Sequence, residues 1–191
     1  MPKKYYLIVC EAEATEPIYF KSLRDSLPEH IVAVEISGEG RNTIGVVKAA
    51  MEKRQSRQAD RLLPPFDEVF AVFDKDDFPD ENFNRAIALA QSENIVPAYS
   101  NEAFELWYVL HFQYLDTGIS RKQYQVVLKE RLGDYRKNST EMYALLQEKG
   151  NEAQAIKWAE RLLSEKQFGN PAKENPTTRV HEIVRTLSAF K

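Results

Sequence analysis

The feature that most constrains this chain is a repeating order of short apolar runs and amphipathic stretches. "KYYLIVC" (4–10), "IVAVEISG" (31–38), "DEVFAVF" (67–73) and "IVPAYS" (95–100) each have the length of a strand. Helical stretches separate them. "EPIYFKSLRDSL" sets Tyr19, Leu23 and Leu27 on one side, with Thr15 as the expected cap and Pro17 in the first turn. "NTIGVVKAAMEKRQSRQAD" does the same with Ile44, Val47 and Met51, and "NFNRAIALAQSEN" follows the third strand. Strands that alternate with helices predict a parallel sheet covered by helices on both faces. The third run is apolar throughout, as a doubly covered strand must be. Pro97 marks the fourth as an edge or an early end.

Beyond residue 112 the pattern turns helical. "RKQYQVVLKERL", "TEMYALLQEKG", "EAQAIKWAERLLSEKQ" and "TTRVHEIVRTLSAF" all favour helix, the last with Thr177 as the expected cap behind Pro176. "GNPAKENP" (169–176) reads as a loop. The expected organisation is an α/β core over 1–112 and a helical C-terminal part over 113–191 packed on it.

Composition narrows the function classes. No apolar run approaches the roughly 20 residues that span a bilayer, so no membrane role is expected. The apolar stretch near the N-terminus runs into acidic residues and reads as a core strand rather than a signal peptide. Cys10 is the only cysteine, which rules out an internal disulfide and fits a reducing cytoplasm; it reads as a small buried residue. The net charge of −3 hides strong local bias. Segments 41–61 and 118–139 each carry six basic residues against two acidic ones, whereas 67–81 carries seven acidic residues against Lys75. The acidic average argues against indiscriminate nucleic-acid binding, and the basic segments allow a directed one. Arg54, Arg57 and Arg61 share a face at helical spacing, either as a solvated face or as phosphate contacts. Arg121, Lys122, Arg136 and Lys137, with Tyr124 and Tyr135 interleaved, form a second candidate surface for phosphate contacts and base stacking.

In a parallel sheet, ligands bind outside the carboxyl ends of the strands. Two acidic clusters fall there. The first strand runs into Glu11, Glu13 and Glu16, and the third into Asp74, Asp76 and Asp77. Asp74 and Asp76, two apart, share a side if the chain stays extended. Neighbouring strand ends lie about 5 Å apart when paired directly. Glu11 then converges on the Asp74/Asp76 pair. Converging carboxylates need a cation, and Mg²⁺ or Mn²⁺ supplies one through oxygen ligands. The other reading is a solvated turn at 77–80. Glu13 and Asp80 read as solvated. His30, His111 and His181 are far apart and make no zinc motif. In "YSNEAFELWYVLHF", Ser100 or Asn101 caps a helix. Glu105 within it either faces solvent near the helix dipole or turns toward the acidic cluster.

"IVCEAEATEPIYF", "FAVFDKDDF", "SNEAFELWYVLHF" and "NPTTRVHEIV" together resemble the motifs of the RloB-like proteins, in order and across nearly the whole chain. That family includes abortive-infection proteins of the AbiL type and is associated with restriction–modification and phage-defence loci. The resemblance implies a Toprim-like (Rossmann-like) core. It implies Glu11 as a general acid/base or metal-linked group and Asp74 and Asp76 as metal ligands. Asp77 and Glu105 would be supporting acidic positions, with Thr15, Glu16, Asn101 and Asn175 shaping the site. Two positions depart from the family pattern: Ala12 stands where glycine is expected, and Glu102 where proline is expected.

The leading expectation is a Mg²⁺- or Mn²⁺-dependent nuclease acting on DNA or RNA in phage defence. The alternative is a non-catalytic nucleic-acid-binding or regulatory subunit with a protein partner in a defence complex. An aspartyl-phosphate phosphatase fits poorly, because its acidic motif belongs on the first strand rather than the third.

Overall fold

The computed structural model describes residues 2–166 and 169–191. Four parallel strands alternate with helices: β1 (Lys4–Cys10), α1 (Thr15–Asp25), β2 (Val32–Gly38), α2 (Thr43–Ala59), β3 (Glu68–Asp74), α3 (Asp80–Ser92) and β4 (Val96–Asn101). Then come α4 (Glu105–Val109), α5 (Arg121–Leu132), α6 (Met142–Lys149), α7 (Glu152–Glu165), a 3₁₀ turn at Pro171–Lys173, β5 (Thr177–Thr178) and α8 (Val180–Ser188). Gln167, the last residue of the expected α7 segment, lies outside the described residues. Among those residues no helix is long and apolar enough to cross a membrane.

The sheet order is β2-β1-β3-β4-β5, all parallel except β5. The period-2 alternation of β1 and β3 divides the core. Tyr6, Ile8, Cys10, Phe70 and Val72 face one layer, with Tyr19, Phe20 and Leu23 of α1, Trp107 of α4 and the helices from α5 to α8. Leu7, Val9, Val69, Ala71 and Phe73 face the other, with Val46, Val47 and Ala50 of α2 and Phe83, Ala86 and Ile87 of α3. Each of the larger fully buried apolar side chains contributes about 1.5–3 kcal/mol on burial. Cys10 is buried, and burial pushes its thiol pKa up.

Four expected local features differ. Ser100 and Asn101 belong to β4, and neither caps α4, which begins at Glu105 behind Phe104. Thr15 does not cap α1; its Oγ1 donates instead to Asn138 Oδ1 at 2.8 Å. Thr177 does not cap α8. Thr177 and Thr178 pair antiparallel with Asn101 and Ser100, and the C-terminal part thereby adds a strand to the sheet. That pairing covers only the end of β4, so Pro97 sits where the β4 edge carries no ladder. Helix α2 stops at Ala59, which leaves Arg61 in the following turn rather than on the face of Arg54 and Arg57.

Candidate functional site

Because β1 and β3 are direct neighbours on opposite sides of the point where strand order reverses, their carboxyl ends open into one crevice. A cleft of about 150 Å³ lies there, lined by Glu11, Ala12, Thr15, Glu16, Asp74, Asp76, Phe104, Glu105, Arg121 and Lys137. Glu11 and Asp74 meet there, as expected from their places at neighbouring strand ends. The Glu11 N–H continues the ladder to Val72 O, and Glu11 Oε2 accepts from the Asp74 N–H at 3.0 Å.

Asp76 arrives by a different route from the one expected. The strand ends at Asp74, and Asp76 has φ of 42°, so extended parity does not set its direction. Its N–H donates to the carbonyl of Glu102, itself at φ 75°. Two left-handed, non-glycine residues thus stitch the loops after β3 and β4. Such backbone persists only when its surroundings over-determine it. Ala12 is not in the left-handed region, so the chain here needs no glycine for backbone freedom at that position. Glu102 at positive φ could not be proline, whose ring holds φ near −65°.

Glu105 turns inward. At 2% exposure it lies beside Asp74 and Glu16, which are 7% and 4% exposed. The first turn of α4 also brings the Phe104 N–H to Asp74 Oδ2 at 3.0 Å. Arg121, at the start of α5, reaches across. Its Nη2 lies 3.4 Å from Asp74 Oδ2 and its Nη1 3.2 Å from Asp76 Oδ2. Among the described residues, three buried carboxylate oxygens have no hydrogen-bond partner: Glu16 Oε2, Asp74 Oδ1 and Glu105 Oε1.

This crowding changes the acid–base chemistry. Burial pushes the Glu11 carboxyl up to about 7, with Asp76 adding to the shift and the Asp74 N–H opposing it. Burial, together with the negative charges of Glu11 and Glu105, pushes Glu16 to about 7 as well. Asp74 is raised well above its usual range by burial and by Glu16 and Glu105. Burial disfavours the Arg121 charge, but Asp74, Asp76 and Glu105 outweigh that and raise its pKa.

The remaining expected residues fall into two groups. Asn101 is buried; its Nδ2 donates to Pro171 O at 2.7 Å and its Oδ1 accepts from the Glu102 N–H. Asn175 packs against Gly118, just ahead of α5, where any Cβ would meet its amide at 2.9 Å. Lys137 lines the cleft from an exposed position, and Lys122 and Arg136 are exposed nearby in sequence. Asp77 is exposed and outside the cleft lining. Arg54 is tied to the Glu93 carbonyl and carboxylate. Arg57 pairs with Glu35, donates to Pro64 O and lies over the Phe66 ring. Both belong to the far half of α2, near the amino ends of the strands. Tyr124 and Tyr135 are core residues, so neither ring is available to stack on a base. Sequence reasoning missed Phe104 and Asn138, which act through a backbone N–H and a loop amide and leave no residue-type signature.

The family model for RloB-like proteins matches residues 6–187. The chain belongs to the RloB-like family. No curated protein and no solved structure matches it. For this family member, then, the cleft must be read from its own chemistry. Among the described residues no group of three or more carboxylate, histidine or cysteine side chains is placed to hold a metal ion. The donors nonetheless suit a hard cation: oxygen ligands, acidic, and with three buried oxygens unpartnered. An ion at Asp74 Oδ1 would share that carboxylate with Arg121, which lies on its other oxygen, Oδ2.

Proposed function

We propose that this chain is a Mg²⁺- or Mn²⁺-dependent nuclease with a Toprim-like core, related to the AbiL-type abortive-infection proteins and acting in phage defence beside restriction–modification systems. The observation that carries the reading is the set of orphaned carboxylate oxygens on Glu16, Asp74 and Glu105, buried at the carboxyl ends of β1 and β3. Uncompensated buried acceptors are costly, and a bound cation removes that cost. Glu11, Asp74 and Asp76, backed by Glu16 and Glu105, would hold the ion. Such an ion polarises a phosphate and lowers the pKa of bound water.

The chain's own groups have definable parts. In the metal-free cleft Glu11, with a pKa of about 7, exists in both protonation states at neutral pH; a bound cation would hold it ionised and able to accept a proton. Lys137, exposed on the cleft lining, offers a positive charge to an entering phosphate. The Thr15–Asn138 hydrogen bond ties the start of α1, which follows Glu11, to the segment that carries Lys137. Purified protein with Mg²⁺ or Mn²⁺ is expected to cut single- or double-stranded DNA or RNA. Undiminished cleavage by Asp74→Ala or Glu11→Gln would overturn the reading.

One observation favours a second reading. Arg121 already bridges Asp74 and Asp76, which is how a metal-free binding or regulatory subunit of a defence complex would neutralise its cleft. Tight nucleic-acid binding with no turnover under any divalent metal would select it.

A further inference from the structure

The position of Arg121 is unfavourable by every local criterion except the acidic cleft. It is the first residue of α5, where the helix dipole disfavours a cation. It makes no bidentate pair with one carboxylate. Its two terminal nitrogens are divided between Asp74 and Asp76, one of them at 3.4 Å, and its buried Nε has no partner. The strong geometry available to guanidinium and carboxylate is therefore unused. Yet the helix that carries it is firmly held. Ser120 and Gln123 close a capping box, and Tyr124, Leu128 and Leu132 are buried beneath it. The backbone is fixed, while the side chain is 29% exposed and shares the cleft lining with the exposed Lys137.

Resting on the metal reading above, we infer that Arg121 is an exchangeable counter-ion. It neutralises Asp74 and Asp76 while no divalent ion is bound. When the ion takes those oxygens, Arg121 is released toward the mouth and, with Lys137, receives the substrate phosphate. The cleft lining supplies the electrostatic reason. Five carboxyl groups face two cationic side chains, and once ionised they make a surface too acidic to admit a polyanion. A divalent ion reduces that imbalance, and an ion at Asp74 Oδ1 with a guanidinium at Oδ2 sets two like charges on one carboxylate, where they repel. Metal binding thereby converts an anion-excluding cleft into an anion-accepting one, and Arg121 is the positioning residue that couples the two events.

The coupling has a sign that a purely structural ion pair lacks. Removing a competitor tightens metal binding; removing a structural support weakens it. The test is titration calorimetry of the full chain with Mn²⁺ alone at pH 8, on the native protein, Arg121→Gln and Arg121→Lys, with circular dichroism to establish folding. Arg121→Gln is expected to bind Mn²⁺ about tenfold more tightly, within the usual range for coupled sites. Arg121→Lys should fall between, because a compact ammonium cannot span both carboxylates. With Mn²⁺ saturating, the native protein should bind inorganic phosphate more tightly than Arg121→Gln. Equal or weaker Mn²⁺ affinity in the folded variants overturns the exchange and leaves the metal reading standing. Absence of Mn²⁺ binding to the native protein and to both variants overturns both. If Arg121→Gln does not fold, the Lys variant decides by the same sign.

Discussion

The two oxygens of Asp74 sit in different electrostatic circumstances. Oδ2 accepts from the Phe104 N–H and faces Arg121, while Oδ1 is buried and alone. Burial and the neighbouring carboxylates favour the protonated form of this group, which asparagine closely imitates. Asp74→Asn is therefore expected to keep the metal-free Tm or raise it. Saturating Mn²⁺, at a hundredfold excess over Kd, should raise the native Tm by about 5–10 °C, and the variant's by less than about 2 °C. Differential scanning fluorimetry with and without Mn²⁺ reads both. Glu102 makes the other residue-scale prediction. Its positive φ and its N–H bond to Asn101 Oδ1 are both incompatible with proline, so Glu102→Pro should cost about 3 kcal/mol or more in urea unfolding.

Helix α5 shows how an element can be legible while its role is not. Its span was readable from periodicity, and its Ser120 start coincides with a capping box. What periodicity cannot show is where the helix lands. Tyr124 looked like a stacking residue because it sits among basic residues, but that face of the helix is the buried one. Its hydroxyl has no hydrogen-bond partner, so Tyr124→Phe should stabilise the fold by about 1 kcal/mol in urea unfolding and leave nucleic-acid affinity unchanged. The convergence of Glu11 and Asp74 was legible because strand ends obey a general rule. The bend that carries Asp76 was not, since a left-handed Asp after a strand follows from the Glu102 carbonyl, a contact from another loop. Strand β5 was missed for a similar reason. Two threonines carry no pattern of their own, and they become a strand only because the end of β4 offers an unpaired edge.

The whole molecule should respond to pH through two opposing sets of buried groups. Glu11 and Glu16 have folded pKa values of about 7 against an ordinary 4.5. Raised carboxyl values favour the folded state below about pH 4.5, and that contribution disappears as pH climbs through about 7. His111 and His181 are held neutral by burial, with pKa lowered to about 4 from 6.5. Their contribution is present above pH 6.5 and is lost as pH falls through about 4. The trends compete between pH 4.5 and 6.5, so the carboxylate effect is cleanest between pH 6.5 and 8. Over that interval the metal-free urea midpoint should fall, and saturating Mg²⁺ should flatten the slope by favouring the ionised cluster.

The antiparallel pairing of Thr177–Thr178 with Ser100–Asn101 also sets a timetable. A ribosome delivers β1 to β4 long before it delivers β5 and α8. During that interval the end of β4 offers bare N–H and C=O groups, and the layer that Val180, Ile183, Val184 and Leu187 will cover lies open. The nascent chain therefore carries a sticky edge and an apolar face through much of its translation. Stalled or truncated chains should partition to chaperones or aggregates, because the segment that covers this edge and face emerges well after both.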